Sequence, residues 1–355
     1  MAGKFPDCLR INTNNDEAIL IMKSTREYYE DIMKPFKIRE SLAPCLDFCP
    51  VTLQKPSLTA DVRVKDFPVF SHTVPDLVYF AFEIFRGHGL DEPKLSALLD
   101  MVSKNYFQTT PFHNFWHGFS VMQMIYCISE RNTKLSEFIT NKEYTYLLLA
   151  AIGHDICHPG MNNSFLIATK HELSIKYNNI SVLENHHSSV ILEMIKISEI
   201  FQSKTLKKLS PIILEAILST DMARHKQVCD EYTNTLENFD KTIPNHRQKF
   251  INYLLHCSDL GNQTLDFSLA SIWSMKVLQE FNYQVACEEN ARIRVSEFMR
   301  TGNNMIKVKN SQIGFIENII LPLWNGLAEY VKNIDDFPEG LKKNKKRWEE
   351  LQEFE

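Results

Sequence analysis

Apolar residues recur along this chain at intervals of three and four, in long runs between turn residues. The stretches "DLVYFAFEIF" (76–85), "KLSALLDMVSKNY" (94–106), "YTYLLLAAIG" (144–153), "PIILEAILSTDMARH" (211–225), "RQKFINYLLHCSDLGN" (247–262) and "SQIGFIENIILPLWNGLAEYV" (311–331) each read as a helix with a wide apolar face. No strand-like alternation of note and no internal repeat breaks the series. Glycine (11) and proline (14) are sparse, which favours long helices over many short strands. The pattern predicts an all-α fold, with one compact multi-helix catalytic domain over residues 67–355. Residues 1–66 mix charge, proline and short apolar runs, and are expected to form an entry segment, partly helical near Asp16–Met33. The polar stretch 288–310, "EENARIRVSEFMRTGNNMIKVKN", is punctuated by Gly and Asn and reads as a mobile loop.

Composition narrows the partners. The 355 residues are 44% hydrophobic and 23% charged, enough for a large buried core. A net charge of −5 offers no basic field for a nucleic-acid polymer. Eight scattered cysteines without a CxxC pair point to reduced thiols and a cytoplasmic location. No window holds the roughly 18 apolar residues of a spanning helix, so no membrane segment is expected in this chain; an anchor encoded beyond it stays open.

Candidate chemistry begins at "HDICHPG" (154–160), three metal-ligand types within five residues, followed at once by a Pro-Gly turn. Upstream, "FHNFWHGF" (112–119) places His113 and His117 four apart, so on a helix they share a face. His154 and His158 repeat that spacing. Downstream, "HCSDLGN" carries Asp259 at the end of an apolar helix, where a carboxylate can be presented into a cleft. Between them lie "LENHH" (183–187), with Glu184, and "STDMARH" (219–225), with Thr220, Asp221 and His225. A mixed nitrogen and oxygen set from separate helices suits Zn²⁺ and, beside it, Mg²⁺ or Mn²⁺. A zincin is excluded, because it needs H-E-x-x-H and the second positions here are Asn114 and Asp155. An aspartate beside the histidine favours two metals sharing a bridging carboxylate, an arrangement for phosphoester hydrolysis.

In order, "FHNFWH", "GHDICHPGMNN", "LENHH", "TDMARH", "CSDLGN" and "SQIGFI" resemble the catalytic domain of class I cyclic nucleotide phosphodiesterases, and most closely its cGMP-preferring type-9 branch. The resemblance implies about sixteen helices and a 3′,5′-cyclic nucleotide, cGMP before cAMP, as small-molecule substrate. It implies His117, His154, Asp155 and Asp259 as ligands of a zinc site, with Asp155 bridging to a second ion, usually Mg²⁺. It implies His158, Glu184 and Thr220 as groups orienting metal-bound waters, His113 as general acid, and Glu280 as its carboxylate partner. Gln312 then matches the glutamine that binds the purine edge, and Phe315 and Val277 the jaws on its faces. Asn262 is expected to add a polar contact to the base. His186, His187, Asp221 and His225 receive no direct role. Gly261 departs from relatives that carry serine there, and is expected to loosen the local backbone.

Two rival readings leave different marks. Another HD-type phosphohydrolase acting on a polyphosphate shares H…HD…D, needs basic residues, and leaves Gln312 and Phe315 unexplained. A catalytically weak cyclic-nucleotide sink or scaffold predicts loss of a ligand or of the acid, and every one of them is present.

Overall fold

The computed structural model describes residues 43–49, 51–132, 135–302 and 304–351; the expected helix at Asp16–Met33 lies outside them. Among the described residues the chain is all-helical, in fourteen α-helical segments with short 3₁₀ turns and no strand. In chain order they are α1 (Val74–Phe85), α2 (Glu92–Lys104), α3 (Phe115–Arg131), α4 (Asn141–Gly153), α5 (Asn163–Ala168), α6 (Glu172–Lys176) and α7 (Val182–Ser198). There follow α8 (Ser203–Leu218), α9 (His225–Leu236), α10 (Pro244–Asp259), α11 (Phe267–Asn290), α12 (Met305–Phe315), α13 (Leu321–Tyr330) and α14 (Asp336–Glu350).

Three of these helices are buried almost all round. In α3, 12 of 17 residues are buried; α4 is buried from Thr145 through Gly153, and α10 from Phe250 through Ser258. A helix apolar on every face belongs in the middle of a domain, and α3, α4 and α10 pack on one another there. Helices α7 and α8 pack against this centre, α13 packs on α10, and α14 packs on α13 and on the turn that follows α10. Local signals set the starts. Thr140 and Glu143 form a capping box at α4, and Thr73 and Asp76 form one at α1. Glu143 is also bound by Arg247 of α10 at 2.8 Å, which joins two central helices at the surface.

The structure redraws three expectations. The predicted helix over 211–225 stops at Leu218, because Asp221 accepts from Ala223 N–H and starts a 3₁₀ turn instead. Of the polar stretch 288–310, the first residues finish α11 and the last six begin α12; the described residues between, 291–302 and 304, are loop with a 3₁₀ turn at Glu297–Met299. The run 311–331 is continuous but changes pitch, through a π-helical turn at Ile316–Ile320 between α12 and α13. Pro322 has no N–H to give to the carbonyl four residues back, so the ladder must shift there.

Residues 43–49 and 51–66 carry no helix, only irregular chain with turns at 62–63 and 65–66. Asn105, at the end of α2, accepts from Cys45 N–H at 2.7 Å and donates to Cys45 C=O at 2.8 Å. Its own carbonyl accepts from Cys157 N–H at 3.0 Å. Gln123 of α3 donates to the carbonyls of Val62 and Val64.

Glycine allows two close approaches around the 3₁₀ turn Gly261–Thr264 that follows α10. At Gly261 a Cβ would fall 2.0 Å from Met124 Sδ and 3.2 Å from Trp324, so the residue gives tight packing rather than a loosened backbone. At Gly340 a Cβ would fall 2.2 Å from the Thr264 carbonyl oxygen. That contact seats α14 on the turn, where Asn344 donates to the Gln263 and Leu265 carbonyls. Gly340→Ala forces the helix off the turn and is expected to cost about 1–3 kcal/mol, the usual range for overpacking. Chemical denaturation reads this as a lowered midpoint; an unchanged midpoint would show that α14 yields freely.

Candidate active site

The three central helices each deliver part of one cluster. His117 lies in the first turn of α3, His154 caps the C-terminus of α4 with Asp155 next, and Asp259 is the last residue of α10. Both histidines are fully buried. His117 Nε2 is 3.1 Å from Asp259 Oδ1 and 3.3 Å from Asp155 Oδ2; His154 Nε2 is 3.1 Å from each of the same oxygens. An ion with roughly 2.0–2.1 Å bonds to four tetrahedral donors spaces them about 3.3 Å apart, and this set fits. His154 Nδ1 lies 2.8 Å from the Ala151 carbonyl, which holds the proton on Nδ1 and leaves Nε2 a lone pair. The field agrees with a cation. Burial opposes charge on His154, yet Asp155 and Asp259 outweigh it and hold the ring's pKa well above the usual value. Burial likewise opposes charge on the two aspartates, and His154, with His117, keeps both carboxyls well below their usual range.

The helix-face reading of the two H-x3-H pairs does not survive. Asn114 is the N-cap of α3, its side chain accepting from Trp116 N–H, so His113 stands outside the helix that holds His117. His158 lies beyond the end of α4, in a loop where Cys157 (φ 62°) and Gly160 (φ 75°) are left-handed. The four residues still converge with their neighbours, through chain reversals rather than a shared face.

Asp155 faces two ways. Its Oδ2 joins the cluster above, while Oδ1 lies 3.7 Å from Nε2 of His187. His187 Nδ1 is 2.6 Å from the Ile156 carbonyl and so carries the proton; Nε2 is buried and has no hydrogen-bond partner. Two acceptors facing one another in the interior call for a cation or a donor between them. Asp155, His158 and His187 place ligand atoms within 4.8 Å of one another. Burial depresses His187 to about 3 and, with the charge on His113, pushes His158 well below its usual value, so both offer neutral lone pairs. Sequence reasoning missed His187. The motif "LENHH" was in hand, but helical spacing alone cannot tell which of its two histidines turns inward. Glu184 is one turn earlier on α7 and accepts from Asn163 Nδ2 at 2.9 Å. Burial, then the nearby Asp221, push its carboxyl up to about 7. Thr220 is buried, its hydroxyl donating to the Ile217 carbonyl.

His113 sits beside this pair of sites. Its Nδ1 is 2.5 Å from Glu280 Oε2, and Glu280 Oε1 accepts from the backbone N–H groups of Phe112 and His113. Its ring stacks on His158 with centroids 3.8 Å apart. Burial opposes the imidazolium, but Glu280 outweighs it and lifts the pKa to about 9. The remaining nitrogen, Nε2, is free of the carboxylate.

The expected base-binding residues lie on α11 and α12. Val277 and Phe315 are half-buried, and Gln312 is buried. Ser274 donates to Gln312 Oε1 at 2.8 Å and accepts from Gln263 Nε2 at 2.9 Å, so a polar chain fixes the Gln312 amide. Ser274 and Gln263 were not singled out in the sequence, where nothing marks them as polar partners of Gln312. The Asn262 side chain lies 3.4 Å from His117 Nδ1, on the far side of a cluster ligand.

This arrangement brings a buried His/Asp cluster able to hold a metal ion together with a paired imidazole and carboxylate alongside. The family model for 3′5′-cyclic nucleotide phosphodiesterases matches residues 112–341, and the chain belongs to that family. It is 29% identical to the 3′,5′-cyclic-nucleotide phosphodiesterase regA of Dictyostelium discoideum, over 83% of this chain and 38% of that protein. It is 30% identical to the human high affinity cGMP-specific 3′,5′-cyclic phosphodiesterase 9A, over 78% of this chain and 47% of that one. The chain thus spans less than half the length of either relative. The phosphodiesterase domain of the rhodopsin phosphodiesterase of Salpingoeca rosetta superposes with a TM-score of 0.76 at 30% identity, covering 82% of this chain and 92% of that one. Cluster and family together support binding of divalent metal.

Dialysed Asp259→Ala protein is expected to lose divalent metal on elemental analysis, and Asp155→Ala to lose more, because both its oxygens face ligand groups. His113→Ala is expected to keep its metal. Loss of metal from that variant would place His113 among the ligands.

Proposed function

We propose that this chain hydrolyses a nucleoside 3′,5′-cyclic phosphate to the 5′-monophosphate, with Zn²⁺ in the four-residue cluster and Mg²⁺ or Mn²⁺ on the outer oxygen of Asp155. The observation that carries this reading is the His113–Glu280 pair standing against the cluster, an acid beside a place for charge. His117, His154, Asp155 and Asp259 are assigned as ligands; His158, Glu184 and Thr220 are assigned to the waters of the second ion. When bound, such ions neutralise phosphate charge and lower the pKa of water. His113 gives a proton from Nε2 to the departing O3′, and Glu280 keeps the ring charged and aimed until it does. Glu184, poised near neutrality, takes up or releases a proton with little cost at physiological pH. Val277 and Phe315 hold the two faces of the purine and Gln312 its edge. Asn262 supports the orientation of His117 beside any contact to the base.

The chain carries cGMP as its preferred nucleotide in this reading. Support comes from kinship with proteins named cGMP-specific, and from the fixed Gln312 amide. Guanine and adenine present reversed donor and acceptor patterns at N1 and the 6-substituent, so an amide held one way pairs well with one of them. A buried mispair costs about 1–3 kcal/mol. A cytoplasmic setting fits the seven described cysteines, all of which are free thiols.

His113→Ala should lower kcat by about 10²–10⁴-fold, the span of general acid–base catalysis. The active form is the imidazolium, present below its pKa, so wild-type activity should fall as pH rises through about 9. Glu280→Gln removes the charge that raised it, and the basic limb should move to lower pH; a limb that stays in place would remove Glu280 from this role. In substrate terms, Ser274→Ala frees the Gln312 amide to turn and should narrow the ratio of kcat/KM for cGMP over cAMP. Phe315→Ala should weaken both nucleotides alike, since stacking on a purine face does not read its edge. A wild-type preference for cAMP of about tenfold, or 1.4 kcal/mol, would overturn the cGMP assignment and leave the hydrolase standing.

A further inference from the structure

The acid and the metal-ligand loop reach the site from different directions, and their relative placement has to be fixed by something. His113 is held by Glu280 on α11 and stacks on His158 of the loop that follows α4. One helical turn beyond Glu280 on α11 lies Gln284, whose side chain is 2% exposed. Its Oε1 accepts from the Asn162 backbone N–H at 2.9 Å, and its Nε2 donates to the Asn162 side-chain oxygen at 3.0 Å. Asn162 ends the ligand loop and caps α5. Its neighbour Asn163 donates to Glu184 and accepts from Leu183 N–H, both at 2.9 Å. Gln284 is anchored in turn. Its Nε2 donates to Glu288 at 2.7 Å, and that buried carboxylate also accepts from the Ser296 N–H and hydroxyl, at 2.6 and 2.9 Å. The side-chain oxygens of Gln284, Asn162 and Asn163 and both oxygens of Glu288 each have a donor, so this part of the network is a fastening and not a ligand site.

Building on the hydrolase reading, we propose that Gln284 is a positioning residue that sets the register between the acid-bearing helix α11 and the metal-ligand loop, with Glu288 as its anchor. The amide is the right group for the task. It must accept from one partner and donate to two others, which neither a carboxylate nor an apolar side chain of the same length can do. The consequence falls on His113, which touches both sides of the joint through Glu280 and His158. A displacement of about 1 Å at a reacting proton costs up to roughly 10²-fold in rate, whereas the metal ligands and the base pocket are held by other contacts.

The test compares three full-length proteins, wild type, Gln284→Ala and Gln284→Glu, for kcat and KM on cGMP and cAMP, metal content and thermal midpoint. Gln284→Ala is expected to lose about 10- to 100-fold in kcat, with KM within about threefold of wild type and metal content unchanged. Gln284→Glu sets two carboxylates against each other, beside Glu280 on the same helix and with Glu184 beyond Asn163. Such a pair binds a proton more tightly than either group alone, and the protonated acid can restore one of the amide's two donated bonds. The ratio of its activity to that of wild type is therefore expected to rise, by about threefold or more, as pH falls from 8.5 to 6. Taking the ratio cancels the titration of His113 and Glu184, which both proteins share. A Gln284→Ala protein that loses thermal stability but keeps wild-type kcat, or a Gln284→Glu ratio flat in pH, would overturn the proposal. Absence of cyclic nucleotide hydrolysis by wild type would instead overturn the reading of the function beneath it.

Discussion

Two carboxylates stand among apolar helices at the middle of this fold, and everything around them answers to that. Asp155 and Asp259 sit where α3, α4 and α10 meet, in contact with two fully buried imidazoles. Removing such charges from water is costly by several kcal/mol each unless the interior supplies an opposite charge. Two neutral histidines cannot supply it; two protons or a divalent cation can. The site is therefore an intrinsically cation-seeking cavity. The surrounding packing holds it open rather than collapsed: Gly261 lets Met124 and Trp324 close up behind Asp259, and Gly340 and Asn344 hold the turn that follows.

His113 is kept apart from this demand by simple separation of partners. It has its own carboxylate, Glu280, which is also satisfied by two backbone N–H groups and so does not compete for the cluster. His158, stacked between His113 and His187, is kept neutral by burial and by the charge on His113. One face of the site thus carries a positive ring and the next two rings are lone-pair donors. That gradient, from a charged ring to neutral ones over three stacked imidazoles, follows from burial and one well-placed glutamate.

Much of this was legible in the chain. Helical periodicity located two of the three central helices, α4 and α10, but did not pick out α3; the order of histidines and aspartates located the cluster, because metal ligands are few in type and dense in sequence. What failed was local. The two H-x3-H spacings suggested helix faces, yet Asn114 caps α3 after His113, and His158 lies past the end of α4. Spacing counts residues and does not see a cap. The run 211–225 read as one helix because apolar spacing continues through it, while Asp221 diverts the backbone with a single side-chain bond. His187, Ser274, Gln263 and Gln284 were invisible for a different reason. Each acts through one hydrogen bond or one lone pair to a residue remote in sequence, and no periodicity encodes such a partner.

Asn105 joins regions that the chain order keeps far apart. Its amide grips the backbone of Cys45 on both sides, and its carbonyl holds Cys157, the left-handed residue between Asp155 and His158. The irregular segment around Cys45 is thereby tied through one residue to the loop that follows α4. The two segments cannot separate without breaking those hydrogen bonds, so a residue with no ligand or catalytic role of its own fixes where the loop begins to turn.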